Sequence, residues 1–140
     1  MSENFEIILE YIKDLSAETP DAETLIFVRN NIEKYQMNID INSKAVKNKM
    51  VEITTKLTFE DKQNNKKKSF FEISYGTIIK LKNNILEKKI MEKIILCDVQ
   101  KKIYPRLEKI FLNVIKDAGF QNMRFDKKID FEKLYNDRLN

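Results

Sequence analysis

The chain has 140 residues, 42% of them hydrophobic, and carries 26 basic against 22 acidic side chains for a formal charge of +4. That length suits one domain, residues 1–140, around one modest core, and no apolar run approaches the roughly 18 residues that mark a membrane-spanning helix. Histidine is absent and Cys97 is the sole cysteine, which removes the usual general base, the commonest metal ligand, an internal disulfide and a CxxC zinc site.

Phe5 to Leu15 alternates imperfectly: Phe5, Ile7, Leu9 and Tyr11 against Glu6, Ile8, Glu10 and Ile12. The pattern reads as a strand. Asp14 to Asp21 reads as irregular, because Pro20 cannot sit in a central strand. A connection over 21–34 comes next, with a helical turn at Ala22–Val28 whose Leu25, Ile26, Phe27 and Val28 must pack somewhere. Tyr35 to Asn42 and Val51 to Phe59 alternate cleanly and predict two strands. The polar stretch Asp61–Lys68 reads as a hairpin loop, and Ser69 to Leu81 as a further strand with Phe71, Ile73 and Tyr75 on one face and Phe70, Glu72 and Ser74 on the other. Gly76 suggests a bulge there.

The longest periodic stretch runs from Ile85 to Ala118. Ile90, Ile94, Cys97, Ile103, Leu107, Ile110 and Val114 recur at helical spacing, flanked by Tyr104, Phe111 and Ile115. Pro105 predicts an interruption: a helical piece over 87–97, a break over 98–105, and a main helix from Pro105 to Asp117 stopped by Gly119. The stripe is wider than one small sheet needs and points to a subunit contact. Gln121–Lys128 reads as a polar loop, and Asp130 as the N-cap of a last helix, Phe131 to Leu139, with Phe131, Leu134 and Tyr135 on its apolar face. Strands followed by helices, with connections too short for crossovers, make an α+β protein with an antiparallel sheet.

The positive charge invites a nucleic-acid reading, a basic adaptor whose affinity would fall steeply with salt. Against it, lysine far outnumbers arginine, the better reader of phosphate and base edges, and AT-rich codon usage would account for a chain rich in Lys, Asn and Ile. An enzyme would have to work with carboxylates, lysine or tyrosine, and these show no catalytic spacing. The acidic start, Met1-Ser2-Glu3-Asn4, is unlike a secretory signal, and with the lone thiol it fits a cytosolic setting.

Three signatures then converge. Tyr11-Ile12-Lys13-Asp14-Leu15-Ser16-Ala17-Glu18-Thr19-Pro20 resembles the YIKDLSxExP stretch of the SecB protein-export chaperones. Phe71-Glu72-Ile73-Ser74-Tyr75-Gly76 is similar in part to their FxxExxYxG strand. Ile103-Tyr104-Pro105-Arg106, Lys116-Asp117-Ala118-Gly119-Phe120 and Ile129 to Tyr135 resemble their FPxxR, GGF and IDFxxLY ending, with Ala118 in place of the first glycine. The resemblance spans about residues 5–138. It implies a four-stranded antiparallel sheet with a long helix and a shorter C-terminal helix packed on it, assembled as a homotetramer, a dimer of dimers. It implies no enzymatic chemistry and no cofactor: an ATP-independent holdase that binds unfolded precursor proteins in the cytosol and hands them to the SecA motor.

By position, the resemblance implies SecA docking at Asp14, Glu18, Phe70 and Glu72, and oligomer contacts at Phe71, Ile73 and Tyr75, to which the helix stripe adds Leu107, Ile110 and Val114. Client binding needs apolar area without sequence readout. The candidates are Leu25 and Phe27 on the long connection and Phe131, Leu134 and Tyr135 on the last helix. The chain departs from the family in its basic charge, which would favour acidic or neutral clients or simply keep the protein soluble, and in the absence of the prolines that come after the GGF element. A chaperone of this kind dedicated to a single client, such as an antitoxin, is the alternative reading.

Overall fold

The computed structural model describes residues 4–63, 68–82 and 87–138. Residues 64–67 of the expected hairpin loop, Ile85 at the head of the long helical stretch and Leu139 at the end of the expected last helix lie outside them. Four strands, β1 (Phe5–Glu18), β2 (Gln36–Val46), β3 (Met50–Glu60) and β4 (Phe70–Leu81), pair antiparallel in the order β1-β4-β3-β2. Helix α1 (Ala22–Asn30) joins β1 to β2, and α2 (Lys88–Lys93), α3 (Val99–Asp117) and α4 (Phe131–Arg138) come after β4. The expected α+β class and antiparallel sheet are both present.

β2 runs four residues past the end of its alternation and β3 one residue past each end, and they meet at a tight turn in which Asn48 (φ 62°) and Lys49 (φ 63°) are both left-handed. That pair of dihedrals is a type I′ turn, whose twist matches a hairpin. On the inner face of the sheet, Val51, Ile53, Leu57 and Phe59 of β3 and Phe71, Ile73, Tyr75 and Ile79 of β4 are buried. They meet Ile103, Tyr104, Leu107, Phe111 and Ile115 of α3, also buried, to form the core.

β1 corrects the sequence reading twice. It continues through Asp14–Glu18 as an edge strand, because the backbone ends against β4 rather than in a central position; Pro20 lies just past it. The bulges lie in β1, at Ile8 and Lys13, and not at Gly76, which keeps unbroken register with Thr54 of β3. Each bulge inverts the facing of the residues beyond it. Phe5 and Ile7 therefore point inward opposite Leu81 and Ile79, while Leu9 and Tyr11 point outward opposite Ile78 and Gly76. Gly76 serves a different purpose: the Tyr11 ring lies over it, where any Cβ would clash, and the Tyr11 hydroxyl reaches across to Glu52 Oε2 at 2.9 Å.

The helical stretch has no break. α2 runs into a π-turn at Ile94–Asp98 and on into α3, with Pro105 inside the helix. Pro105 and Lys101 are both exposed, so the turn of helix that loses an amide donor at Pro105 is on the solvent side, where a freed carbonyl costs least. The π-turn is buried through Ile94, Leu96 and Cys97, packed between the sheet and α4. Gln100 props it: its Nε2 donates to Thr55 Oγ1 at 2.8 Å and to the carbonyl of Ile95 at 3.4 Å.

Gly119 does end α3. Its amide donates to the carbonyl of Lys116 and that of Phe120 to Ile115, the paired bonds of a Schellman motif. With φ +119° and Leu25 Cδ1 only 3.0 Å from where a Cβ would stand, Gly119→Ala is expected to cost about 1–2 kcal/mol. A shift of the urea midpoint at constant slope measures it, and an unchanged midpoint would refute the motif's contribution. Asp21 caps α1 through a 2.8 Å bond from the Thr24 amide, and Asp130 caps α4 through 3.1 Å from that of Lys133.

Candidate functional site

Two surfaces stand out, one on each side of the sheet's end. The first is on the outer face. Residues directly opposite one another in an antiparallel ladder share a face, and the register sets Asp14 opposite Ser74, Ser16 opposite Glu72, and Glu18 opposite Phe70. Asp14, Glu18, Phe70 and Glu72, named from the resemblance, are thus together on one face. The row through Asp14 continues across Ser74 and Lys56 to Asp40. Lys56 Nζ lies 2.6 Å from Glu72 Oε1, which holds the lysine's proton more tightly than usual. Asp14 and Glu18 are exposed, and neither side chain has an ion-pair partner among the described residues. A small recess beside them is lined by Glu18, Pro20, Lys68 and Phe70.

The end of β4 is tied down beneath this face. Thr19 and Ser69 hydroxyls lie 2.6 Å apart, and the Tyr35 hydroxyl donates to the Ser69 carbonyl at 2.6 Å. Burial pushes the Tyr35 pKa up to about 12, so it remains a neutral donor.

The second surface is a groove of about 1370 Å³ between the free edge of β2, the turn after α1 and the segment from Gly119 to Ile129. Its floor is apolar: Ile32, Met37, Ile39, Phe59 and Phe125. The segment 121–128, expected to be a polar loop, is anchored by Phe125, whose ring lies 5.6 Å from that of Phe59 and 6.3 Å from that of Phe111. Met123 and Ile129 also pack against the core. The sequence signal for this was Met123 and Phe125, two large apolar residues in a stretch read as polar, with Ile129 just past it.

The client candidates separate. Phe27 is exposed, Leu25 is half-buried against Gly119, and Leu134 is exposed on the groove's rim. Tyr135 is half-buried, with its hydroxyl donating to the Lys89 carbonyl at 3.2 Å. Phe131 is buried with its ring 5.2 Å from that of Tyr104 and offers no client surface, a correction. The oligomer candidates need the same correction. Phe71, Ile73, Tyr75 and Leu107 are buried in the protomer's own core, since the helix stripe covers its own sheet; Ile110 and Val114 remain partly exposed. Sequence reading missed the exposed apolar residues of β1, namely Ile8, Leu9, Tyr11, Ile12 and Leu15, which the bulges distribute over both faces. Among the described residues no His, Cys, Asp or Glu cluster could hold a metal ion, and no helix is long and apolar enough to cross a membrane.

The four-stranded antiparallel sheet backed by one long helix, with an open apolar groove at one edge, has the SecB-like chaperone fold. The chain belongs to the SecB family: the model described as preprotein translocase subunit SecB matches residues 1–140. It is 56% identical, over the full length of both chains, to a Pelagibacter ubique protein assigned as protein-export protein SecB. The protein-export protein SecB of Rickettsia bellii is 30% identical over 133 residues, covering 93% of this chain and 84% of that one. Among solved structures, the fold is similar to that of a SecB-like chaperone from Mycobacterium tuberculosis in complex with a ChAD peptide from an antitoxin. The TM-score is 0.56 at 7% identity, covering 89% of this chain and 91% of that one.

Proposed function

We propose that this chain, as a single domain over residues 1–140, is an ATP-independent holdase of the cytosol, with no catalytic step and no cofactor. It holds unfolded precursor segments in the groove at the edge of β2 and passes them to the SecA motor through the face bearing Asp14, Glu18, Phe70 and Glu72. The observation that carries this reading is the groove itself, an apolar floor open to solvent beside an unpaired strand edge in a SecB-family chain. Such a surface gains apolar burial and main-chain hydrogen bonds from an extended client without reading its sequence. Leu134 extends the apolar area at the rim and Leu25 packs against Gly119 of the lining, while Phe27 and Tyr135 lie outside that lining and would meet only a longer client segment. The exposed apolar residues of β1, with Ile110 and Val114, are the area that further copies would cover in a homotetramer, a dimer of dimers.

Refolding tests it. A slow-folding precursor, unfolded in denaturant and diluted into the protein without ATP, is expected to stay unfolded at about one oligomer per client. Unhindered refolding of a panel of precursors would sink the general holdase reading, and arrest of one alone would mark a dedicated chaperone.

A further inference from the structure

We infer that the groove selects acidic apolar segments, stretches in which aspartate or glutamate alternates with aromatic or aliphatic residues. This rests on the holdase reading and names the client class of the same groove. The cations come first. Arg29, Arg124, Lys127 and Lys128 all line the groove and all are exposed. None of their side chains makes a hydrogen bond or ion pair with another described residue. Elsewhere on the chain, Lys13, Lys56, Lys68 and Lys101 each have a carboxylate within 4 Å. The lining contains two carboxylates, Glu33 and Asp126, so the groove keeps a surplus of two positive charges.

Geometry turns that surplus into a pattern. β2 is an edge strand of the sheet, as β1 is at the other side, and Gln36, Met37 and Ile39 at its start line the groove. A client lying along it is extended, and an extended chain sends alternate side chains to opposite sides. One set meets the half-buried floor of Ile32, Met37, Ile39 and Phe125; the other faces the cations of the 124–128 segment. Apolar residues in the first set and carboxylates in the second satisfy both. A basic segment would set its charges beside unpaired cations instead. Single-stranded nucleic acid would satisfy the cations, but of the aromatic rings lining the groove Tyr35, Phe59 and Phe120 are buried and Phe125 alone is half-buried, which leaves no run of rings for successive bases to stack on. One exposed pair changes an affinity by about 1.5- to 5-fold, so several together give roughly tenfold.

Three fluorescent peptides sharing one apolar pattern, with Glu, Ser or Lys at the intervening positions, are titrated against the full chain by anisotropy. The acidic peptide is expected to bind about tenfold tighter than the basic one at 0.1 M salt. The gap should shrink at 1 M, as the screening length falls from about 10 to about 3 Å. The triple variant Arg124→Glu, Lys127→Glu, Lys128→Glu should reverse the order, and the salt response of the unaltered chain tests the same point without a variant. Equal binding of all three peptides with refolding arrest intact overturns the charge selection and leaves the holdase standing. No peptide binding and no arrest removes both. An oligonucleotide of matched charge that binds as tightly as the acidic peptide would assign the cations to nucleic acid and overturn the inference.

Discussion

Replacing Phe71 with alanine is expected to lower the protomer's unfolding free energy by roughly 3–5 kcal/mol. The side chain is fully buried on β4, with its ring 6.3 Å from that of Phe59 and 5.7 Å, edge-on, from that of Phe120. Phe120 is the residue that closes the end of α3 by bonding back to Ile115. The deletion therefore opens a cavity and loosens the seat of the helix stop at once. Its neighbours cannot collapse into the space, because Phe59 is itself held by Tyr35 and Phe125. Against a typical total of about 5–15 kcal/mol, the loss is large enough to unfold much of the population on mild heating. Equilibrium urea unfolding at a fixed protomer concentration measures it, since assembly makes apparent stability concentration-dependent. If Phe71 were instead a contact between subunits, the variant would dissociate while each protomer kept its stability. A loss below about 1 kcal/mol would contradict the core position.

That distinction was not available in the sequence. Phe71, Ile73, Tyr75 and Leu107 were legible as apolar faces of a strand and a helix, because period two and period 3.6 report which side is dry. They do not report whose surface makes it dry, and here α3 lies on its own sheet. β3 and β4 were legible for the same reason, since alternate residues of each are buried, and β2 was legible from Met37, Ile39 and Ile41, which are half-buried or buried on one face. β1 was less so, since two bulges reset its facing at Ile8 and Lys13, and a bulge has no composition of its own. Pro105 misled in the opposite direction. A proline rule applied to sequence assumes that the freed carbonyl is costly, and it is cheap on a solvent face. The groove was illegible because its floor joins Ile32, Met37 and Ile39 to Phe125 across most of the chain, and only folding puts them side by side. The outer-face residues were reached through resemblance alone; their shared face comes from the register.

The double variant Asp14→Arg, Glu18→Arg is expected to weaken SecA binding about 10- to 100-fold at low salt, while refolding arrest is unchanged. Both residues are exposed on the outer face and make no hydrogen bond or ion pair with another described residue, Asp14 acting on Lys56 only at longer range, so reversal should change stability by no more than about 0.5 kcal/mol. Glu72 is a different case. Its charge is already shared with Lys56 at 2.6 Å, and removing it leaves that lysine to oppose Asp14 and Asp40 in the same row. On a chain of net charge +4, this end of the face carries more carboxylates, Asp14, Glu18, Asp40, Glu60 and Glu72, than lysines, Lys56 and Lys68. Such a patch steers a basic partner and acts chiefly on the association rate. The double variant should therefore slow association more than it hastens release, and its deficit should shrink as salt screens the wild-type attraction. Glu72→Gln should give a smaller loss than the double reversal, because it deletes a charge that Lys56 already offsets. Calorimetry with purified SecA separates the cases. Unaltered affinity in the double variant would move docking elsewhere on the sheet, and a larger effect from Glu72→Gln would mean that the Lys56 pair opens on binding and frees its carboxylate for the partner.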